Sequence, residues 1–246
     1  MPAVLEWQIA RVTGISIETP RTKTITLALP NWTPHQPGQH YDVRLTAPDG
    51  YQTERSYSVA SEPERAGDID LTVELIEDGE VSPYLDGVLV TGDMLEVRGP
   101  IGGYFVWNVS LGGPLLLVAG GSGVVPLRAM LRHRAAQGSH IPTVLLYSSR
   151  TPDDVIYRAE LERLAKDDPT LKVVFTFTRQ TPPGWTGYDR RIDTAMLAEE
   201  MRPLVSGILA YVCGPTLLVE AVATALVGVG LPAERVRTER FGPTGT

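Results

Sequence analysis

The sequence predicts an all-β barrel or sandwich in its first half and an α/β domain with a parallel sheet in its second. Three observations carry this. Up to about Trp107, short runs alternate apolar and polar residues with period two, punctuated by Pro, Gly and Asp. From Gly112 the rhythm becomes apolar strand, glycine or polar turn, amphipathic helix; strands that are apolar throughout imply a parallel sheet covered on both faces. Finally, 246 residues at 43% hydrophobic and 21% charged give ample core for one large domain or two modest ones.

In the first half, EWQIARVTGISIET, TKTITLALP, QHYDVRLTAP, RSYSVAS and DIDLTVELIED read as strands, being rich in Val, Ile, Thr and Leu. SPYLDGVLVTGDMLEVRGPIGGYFV adds a short helical piece and two more strands. LGGPL is a connector, which divides the chain into residues 1–110 and 111–246. In the second half PLLLVAG precedes VVPLRAMLRHRAA, TVLLYSS precedes DDVIYRAELERLAKD, LKVVFTFT precedes DTAMLAEEM, and GILAYVCG precedes PTLLVEAVATALVGVG.

Composition excludes several functions. A formal net charge of −7 argues against nucleic acid or an anionic membrane as the main partner. With Cys213 as the single cysteine there is no internal disulfide, and an iron–sulfur cluster, which needs about four thiolates, cannot be built from this chain alone. His35, His40, His133 and His140 fall in no metal-ligand spacing, so no metal site is expected. The N-terminal MPAVLEWQIARVTG lacks the pattern of a signal peptide, and no apolar run approaches the ~20 residues of a membrane span. A soluble, cytoplasmic protein is expected.

The candidate sites follow in chain order. On an extended RSYS segment, Arg55 and Tyr57 share one face and Ser56 and Ser58 the other. Arginine suits a phosphate and tyrosine can stack on a flat ring, but the segment alone reads equally well as a solvent-facing strand. EDGEVSPYL places Val81 and Ser82 at a possible helix start, which can bind a phosphate or be an ordinary capped turn. RGPIGGYF is a plain turn or a backbone running beside a ligand. Gly120-Gly121-Ser122-Gly123, between a strand and a helix, lacks both the GK[ST] of a triphosphate loop and the GxGxxG of a dinucleotide fold, with Pro126 at the third glycine position. Small residues and a helix dipole still suit a pyrophosphate, although such a turn is also a common tight connection. Ser148, Ser149 and Arg150 follow one parallel strand, with Arg158 on the next helix, and Cys213, Gly214 and Pro215 follow another. Ligands of open parallel sheets gather at the carboxyl ends of strands, so these segments can face one cleft. A lone buried thiol such as Cys213 is more often a small hydrophobe than a nucleophile.

In order, RSYS, GEVS, GPIGGYF, GGSGVVP, CGP and a terminal ERFGP resemble the ferredoxin–NADP⁺ reductase superfamily of flavin-dependent oxidoreductases. The resemblance runs from PHQPGQHYDV to the C-terminus. It implies an antiparallel six-stranded β-barrel holding flavin, then an α/β domain whose parallel sheet binds the pyridine nucleotide. By the same resemblance Arg55 would contact flavin phosphate, Tyr57 flank the flavin ring, and Ser58 bond near its N5, while Val81 and Ser82 meet the flavin pyrophosphate through backbone and hydroxyl groups. Gly120 to Gly123 would lie against the nucleotide pyrophosphate, and Cys213, Gly214 and Pro215 would border the nicotinamide. Phe241 would cover the other flavin face, with Glu239 close by. The implied reaction passes hydride from nicotinamide to flavin N5, which makes Ser58, Cys213, Glu239 and Phe241 the catalytic group.

Charge argues for NADPH, because SSR offers a dianionic 2′-phosphate hydroxyls and an arginine, which Arg158 and Arg179 could assist; NADH is the other choice. FAD is expected over FMN, since GEVSPYL offers a second phosphate site. No fused iron–sulfur, globin or flavodoxin-like domain is visible, so electrons are expected to pass to a separate acceptor protein such as a ferredoxin or an oxygenase component. The alternatives are a free-flavin or ferric-chelate reductase, and a non-enzymatic nucleotide-binding regulatory subunit.

Overall fold

A computed structural model describes residues 5–242 of the chain. The first half forms six antiparallel strands, β1 (Gln8–Thr19), β2 (Thr22–Ala28), β3 (His40–Thr46), β4 (Gln52–Ser58), β5 (Asp68–Glu74) and β6 (Met94–Ile101), in the order β4-β3-β6-β1-β2-β5. The outer strands β4 and β5 meet at a Val59–Leu71 bridge, and the Ala60 N–H donates to Asp70 O at 2.8 Å, which curls the sheet into a barrel. Alternate residues such as Ala10 and Val12 of β1, and Ile25 and Leu27 of β2, point inward and are fully buried with Tyr41, Val43, Leu71 and Val97.

After the short helix α1 (Ser82–Gly87) only one strand follows, β6, where the sequence suggested two. Val88 and Val90 are exposed in the approach to β6, and Gly102, at φ +104°, turns the chain out of the sheet before GGYF can extend it.

The second half holds a five-stranded parallel sheet of β7 (Leu115–Gly120), β8 (Thr143–Ser149), β9 (Leu171–Phe177), β10 (Leu209–Pro215) and β11 (Val236–Phe241), in the order β11-β10-β7-β8-β9. All residues of β7 and β8 are buried, as expected of strands covered on both faces. The crossovers are α2 (Val124–Ala136), α3 (Arg158–Asp167), α4 (Thr194–Met201) and α5 (Thr216–Gly228). α3 begins later than its amphipathic pattern suggested, because Val155, Ile156 and Tyr157 turn into the core, with Tyr157 left-handed at φ 62°. β11 is absent from the strand–helix rhythm: VRTERF is mostly polar, as suits an edge strand paired only with β10.

The two sheets are joined through α2, which is buried nearly all round. Its apolar residues Val124, Leu127, Met130 and Leu131 share one core with Leu117 of the parallel sheet and with Ala60, Phe105 and Trp107 from the barrel side. Its charged residues reach the barrel: Arg132 pairs with Glu62 at 3.2 Å and His133 Nδ1 with Glu64 at 2.6 Å. Tyr157 Oη donates to Thr72 Oγ1 across the same boundary.

Candidate nucleotide-binding site

A cleft of about 340 Å³ opens between the carboxyl ends of the parallel strands and the barrel. The glycine loop supplies Gly120, Gly121 and Ser122; β8 ends in Ser148, Ser149 and Arg150; Pro215 follows β10, and Phe241 ends β11. The parallel register explains this meeting, because Gly120 pairs with Ser148, Cys213 with Ala119, and Pro215 with Phe241. Strands in register finish together, and their loops fall at one edge.

The glycines have separate jobs. A Cβ on Gly123 would lie 2.1 Å from Cys213 O, and one on Gly120 would lie 2.7 Å from Leu218 Cδ1. Both positions let the GGSG loop press against the CGP segment. Gly121 instead sits at φ +54° with nothing within 4 Å, so its backbone lies open on the cleft. α2 begins at Val124 with no side-chain cap, leaving its first N–H groups without a side-chain acceptor.

Behind the loop, Cys213 and Glu239 stand opposite each other on β10 and β11, and Cys213 Sγ donates to Glu239 Oε2 at 3.7 Å. Burial, then the neighbouring carboxylate, pushes the Cys213 thiol well up, so it stays protonated. Burial raises the Glu239 carboxyl to about 7, against the opposing pull of the Cys213 thiol. Ser58 is 5% exposed, and its Oγ closes no hydrogen bond.

On the barrel, β4 behaves as a strand of alternating faces. Tyr57 packs on the barrel core, and burial pushes its phenol up to about 12. Arg55 is exposed; its Nη1 donates to Glu54 O at 2.8 Å, and its Nη2 lies 4.0 Å from Glu80. On the other face the Ser56 hydroxyl is committed to Asp42 Oδ1 at 2.7 Å. Val81 is buried just before α1, a helix with no side-chain cap.

Three of the expected ligands differ in the structure. The Ser82 hydroxyl is spent on Ile76, accepting from its N–H at 3.0 Å and donating to its carbonyl at 3.2 Å, so only backbone remains for an anion there. Arg158 pairs with Glu162 at 2.9 Å, one helical turn along, and does not line the cleft. Arg179 is exposed outside the lining, tied to Arg150 only through its backbone N–H, which donates to Arg150 O at 2.9 Å. Arg150 itself makes no ion pair among the described residues: Asp154 accepts from Thr151, and Glu160 holds Arg128 and Arg132. Gly123, Cys213 and Gly214 support the cleft from behind; its barrel side is Thr19, Arg21, Thr22, Glu74 and Ile76, whereas Arg55, Tyr57 and Ser58 lie on β4 outside this lining. Of the ERFGP motif, Pro243 lies outside the described residues.

Other residues carried no signal in the sequence. Thr216, directly after CGP, has a buried hydroxyl without a partner, as does Ser149. Arg21, Glu74 and Thr178 line the cleft, brought there by hairpin and sheet geometry. Among the described residues no cluster of three or more His, Cys, Asp or Glu could hold a metal ion, and no helix is long and apolar enough to cross a membrane.

This arrangement suits a polar, anionic ligand. The unpartnered Ser58 and Ser149 hydroxyls, the open backbone at Gly121 and the unpaired Arg150 are groups that a polar, anionic ligand would satisfy. Residues 10–106 match the family model described as an oxidoreductase FAD-binding domain, and residues 117–224 that of an oxidoreductase NAD-binding domain. NADH-cytochrome b5 reductase 1 of Aspergillus terreus is 31% identical over 206 residues, 80% of this chain and 68% of that protein. Its counterpart from Neosartorya fischeri is also 31% identical, and this chain spans about 65% of its length. The glycine betaine monooxygenase reductase subunit of Chromohalobacter salexigens is 32% identical over 85% of this chain and 56% of its own. Among solved structures, the FAD/NAD-binding domain of Vibrio cholerae nitric oxide dioxygenase superposes with a TM-score of 0.85 at 22% identity, covering 96% of this chain and 98% of that one. A ferredoxin NADP⁺ reductase from Neisseria gonorrhoeae with bound FAD and NADP gives a TM-score of 0.80 at 19% identity, covering 95% and 98%. At these identities the superpositions establish the common fold.

Proposed function

We propose that this chain, which belongs to the ferredoxin–NADP⁺ reductase superfamily of flavin-dependent oxidoreductases, is an FAD-dependent reductase that takes hydride from NADPH and delivers electrons to a separate acceptor protein, a ferredoxin or an oxygenase component, in the cytoplasm. The observation that carries the reading is the cleft itself, where Arg21, Thr22 and Glu74 of the barrel face Gly121, Ser122, Ser149, Arg150 and Phe241 of the parallel-sheet half. A reaction joining two bound nucleotides needs such a point of contact between their domains.

Bound FAD supplies the ring that accepts hydride and releases separately transferable electrons. Arg55, held only by a 4.0 Å contact to Glu80, would take a flavin phosphate, Tyr57 would offer a flat face to the ring, and the Ser58 hydroxyl would bond its edge. Gly121, Ser122 and the amides opening α2 hold the NADPH pyrophosphate, and Ser148, Ser149 and Arg150 take the 2′-phosphate. Phe241 screens the site from water. Glu239 holds a proton at its carboxyl below about pH 7; above that its charge stabilises the positive nicotinamide left as hydride departs. The protonated Cys213 thiol, donating to Oε2, fixes that carboxyl in place.

NADH is the second reading for the nucleotide. The names of the cytochrome b5 reductase relatives carry NADH, and Glu74 on the cleft lining is a carboxylate suited to ribose hydroxyls. The similarity to the glycine betaine monooxygenase reductase subunit supports a protein acceptor, as does that to the phenol hydroxylase P5 protein, 28% identical over 94% of this chain. Purified protein is expected to be yellow, to release FAD on denaturation, and to be bleached anaerobically by NADPH. A higher kcat/KM for NADH overturns the NADPH assignment. Turnover with ferric chelates or free flavin, and with no candidate acceptor protein, overturns the protein-acceptor assignment.

A further inference from the structure

We infer that Arg21, carried by the barrel, is a specificity residue for the nicotinamide nucleotide, leaving Glu77 to take one of its phosphates across the cleft from Arg150. This rests on the reading above, that the cleft receives NADPH.

Arg21 sits in the two-residue turn between β1 and β2, outside every motif that marked the site in the sequence. Its main chain is fixed by Leu75, whose N–H donates to Arg21 O at 2.8 Å. Its guanidinium returns to the same residue, Nη2 donating to Leu75 O at 3.0 Å. The head group is thereby held over the cleft that Ser122, Ser148, Ser149 and Arg150 line from the other domain. A positioned guanidinium loses little freedom on meeting an anion.

What Arg21 holds now is weak. Nη1 meets Glu77 Oε1 at 2.7 Å, but the two side chains are 50% and 71% exposed. An exposed, solvent-screened pair of this kind contributes less than a forked contact to phosphate offers. The carboxylates on the lining are Glu74 and Asp154, and Asp154 already accepts from the Thr151 N–H at 3.1 Å and hydroxyl at 2.8 Å. The cleft therefore presents two arginines from opposite domains, Arg150 without an ion pair among the described residues and Arg21 loosely parked on one carboxylate. A dinucleotide, with its separated phosphates, is the ligand that can engage both.

The test is binding, measured by calorimetry and by the perturbation of the flavin spectrum when NADP⁺ or NAD⁺ is titrated into the FAD-loaded protein. Arg21→Gln is expected to raise the NADP⁺ Kd about tenfold, the size of one lost charge-assisted contact, with the flavin retained. Arg21→Lys is expected to fall between Arg21→Gln and the parent, since it keeps the charge and loses the fork. Glu77→Gln is expected to lower the Kd by removing the competitor. Weakening confined to NADP⁺ places Arg21 on the 2′-phosphate, and weakening of both nucleotides places it on the pyrophosphate. An Arg21→Gln protein that melts like the parent and binds NADP⁺ equally well overturns the inference, and a Glu77→Gln protein with unchanged or raised Kd overturns the exchange. A parent protein that binds neither nucleotide overturns the reading of the cleft instead.

Discussion

Cys213 and Glu239 face each other across adjacent parallel strands, and the thiol donates to the Glu239 carboxyl at 3.7 Å in a buried site that makes both groups weaker acids. A carboxyl raised from 4.5 to about 7 binds its proton more tightly folded than unfolded. The stability linked to it is complete below pH 4.5 and is lost as pH rises through 7. Glu239→Gln is neutral at every pH. It is therefore expected to melt like the parent near pH 4.5 and above it at pH 8, in paired thermal scans of the flavin-loaded proteins. The parent's flavin-reduction rate should also show an inflection near pH 7 that the variant lacks. Equal melting at both pH values would show that Glu239 titrates normally.

Cys213→Ala removes the donor to Glu239 and alters no residue of β4. Stopped-flow reduction by NADPH is expected to slow about tenfold with full flavin content, the cost of a displaced carboxyl next to the reacting centre. Reduction at the parental rate would remove Cys213 from the reaction.

Tyr57→Ala deletes the ring that packs on the barrel core, which the proposed function sets against the flavin. Flavin retention, read as the ratio of flavin to protein absorbance after gel filtration, is expected to fall several-fold, and the melting temperature to fall with it. Full flavin content in the variant would place the ring elsewhere.

Gly123→Ala and Gly121→Ala separate packing from conformation. A Cβ at Gly123 meets the Cys213 carbonyl at 2.1 Å, so the strand end must move, at a cost of about 3 kcal/mol in urea unfolding together with weakened nucleotide binding. Gly121 has open space but φ +54°, so its substitution is expected to cost about 1 kcal/mol. The reverse order would contradict the division of labour within the loop.

Arg128 is 5% exposed; it bonds Glu160 at 2.8 Å and lies 4.0 Å from the centre of the Tyr157 ring. Arg128→Ala is expected to destabilise the protein by about 3 kcal/mol in urea unfolding, because it empties a buried site and leaves Glu160 with Arg132 alone. A loss under 1 kcal/mol would mean that Arg132 takes over the charge.

The barrel, the parallel sheet and most of the glycine loop were legible in the sequence, because each follows from local periodicity and backbone chemistry. Alternation marks β1 to β5, all-apolar runs mark β7 to β10, and GGSG before a helix marks an anion seat. β11 was not legible, since an edge strand with one neighbour does not need an apolar code. Neither were the ends of the charge network: only folding assigns Arg158 to Glu162, Ser82 to Ile76, and Arg150 to no carboxylate. By itself the sequence determined the two-part fold and the order of the candidate segments along the chain. The tertiary structure decided which of their polar groups remain free, and it added Arg21 and Thr216. Whether a polar group is free depends on what the rest of the chain places within about 3 Å of it.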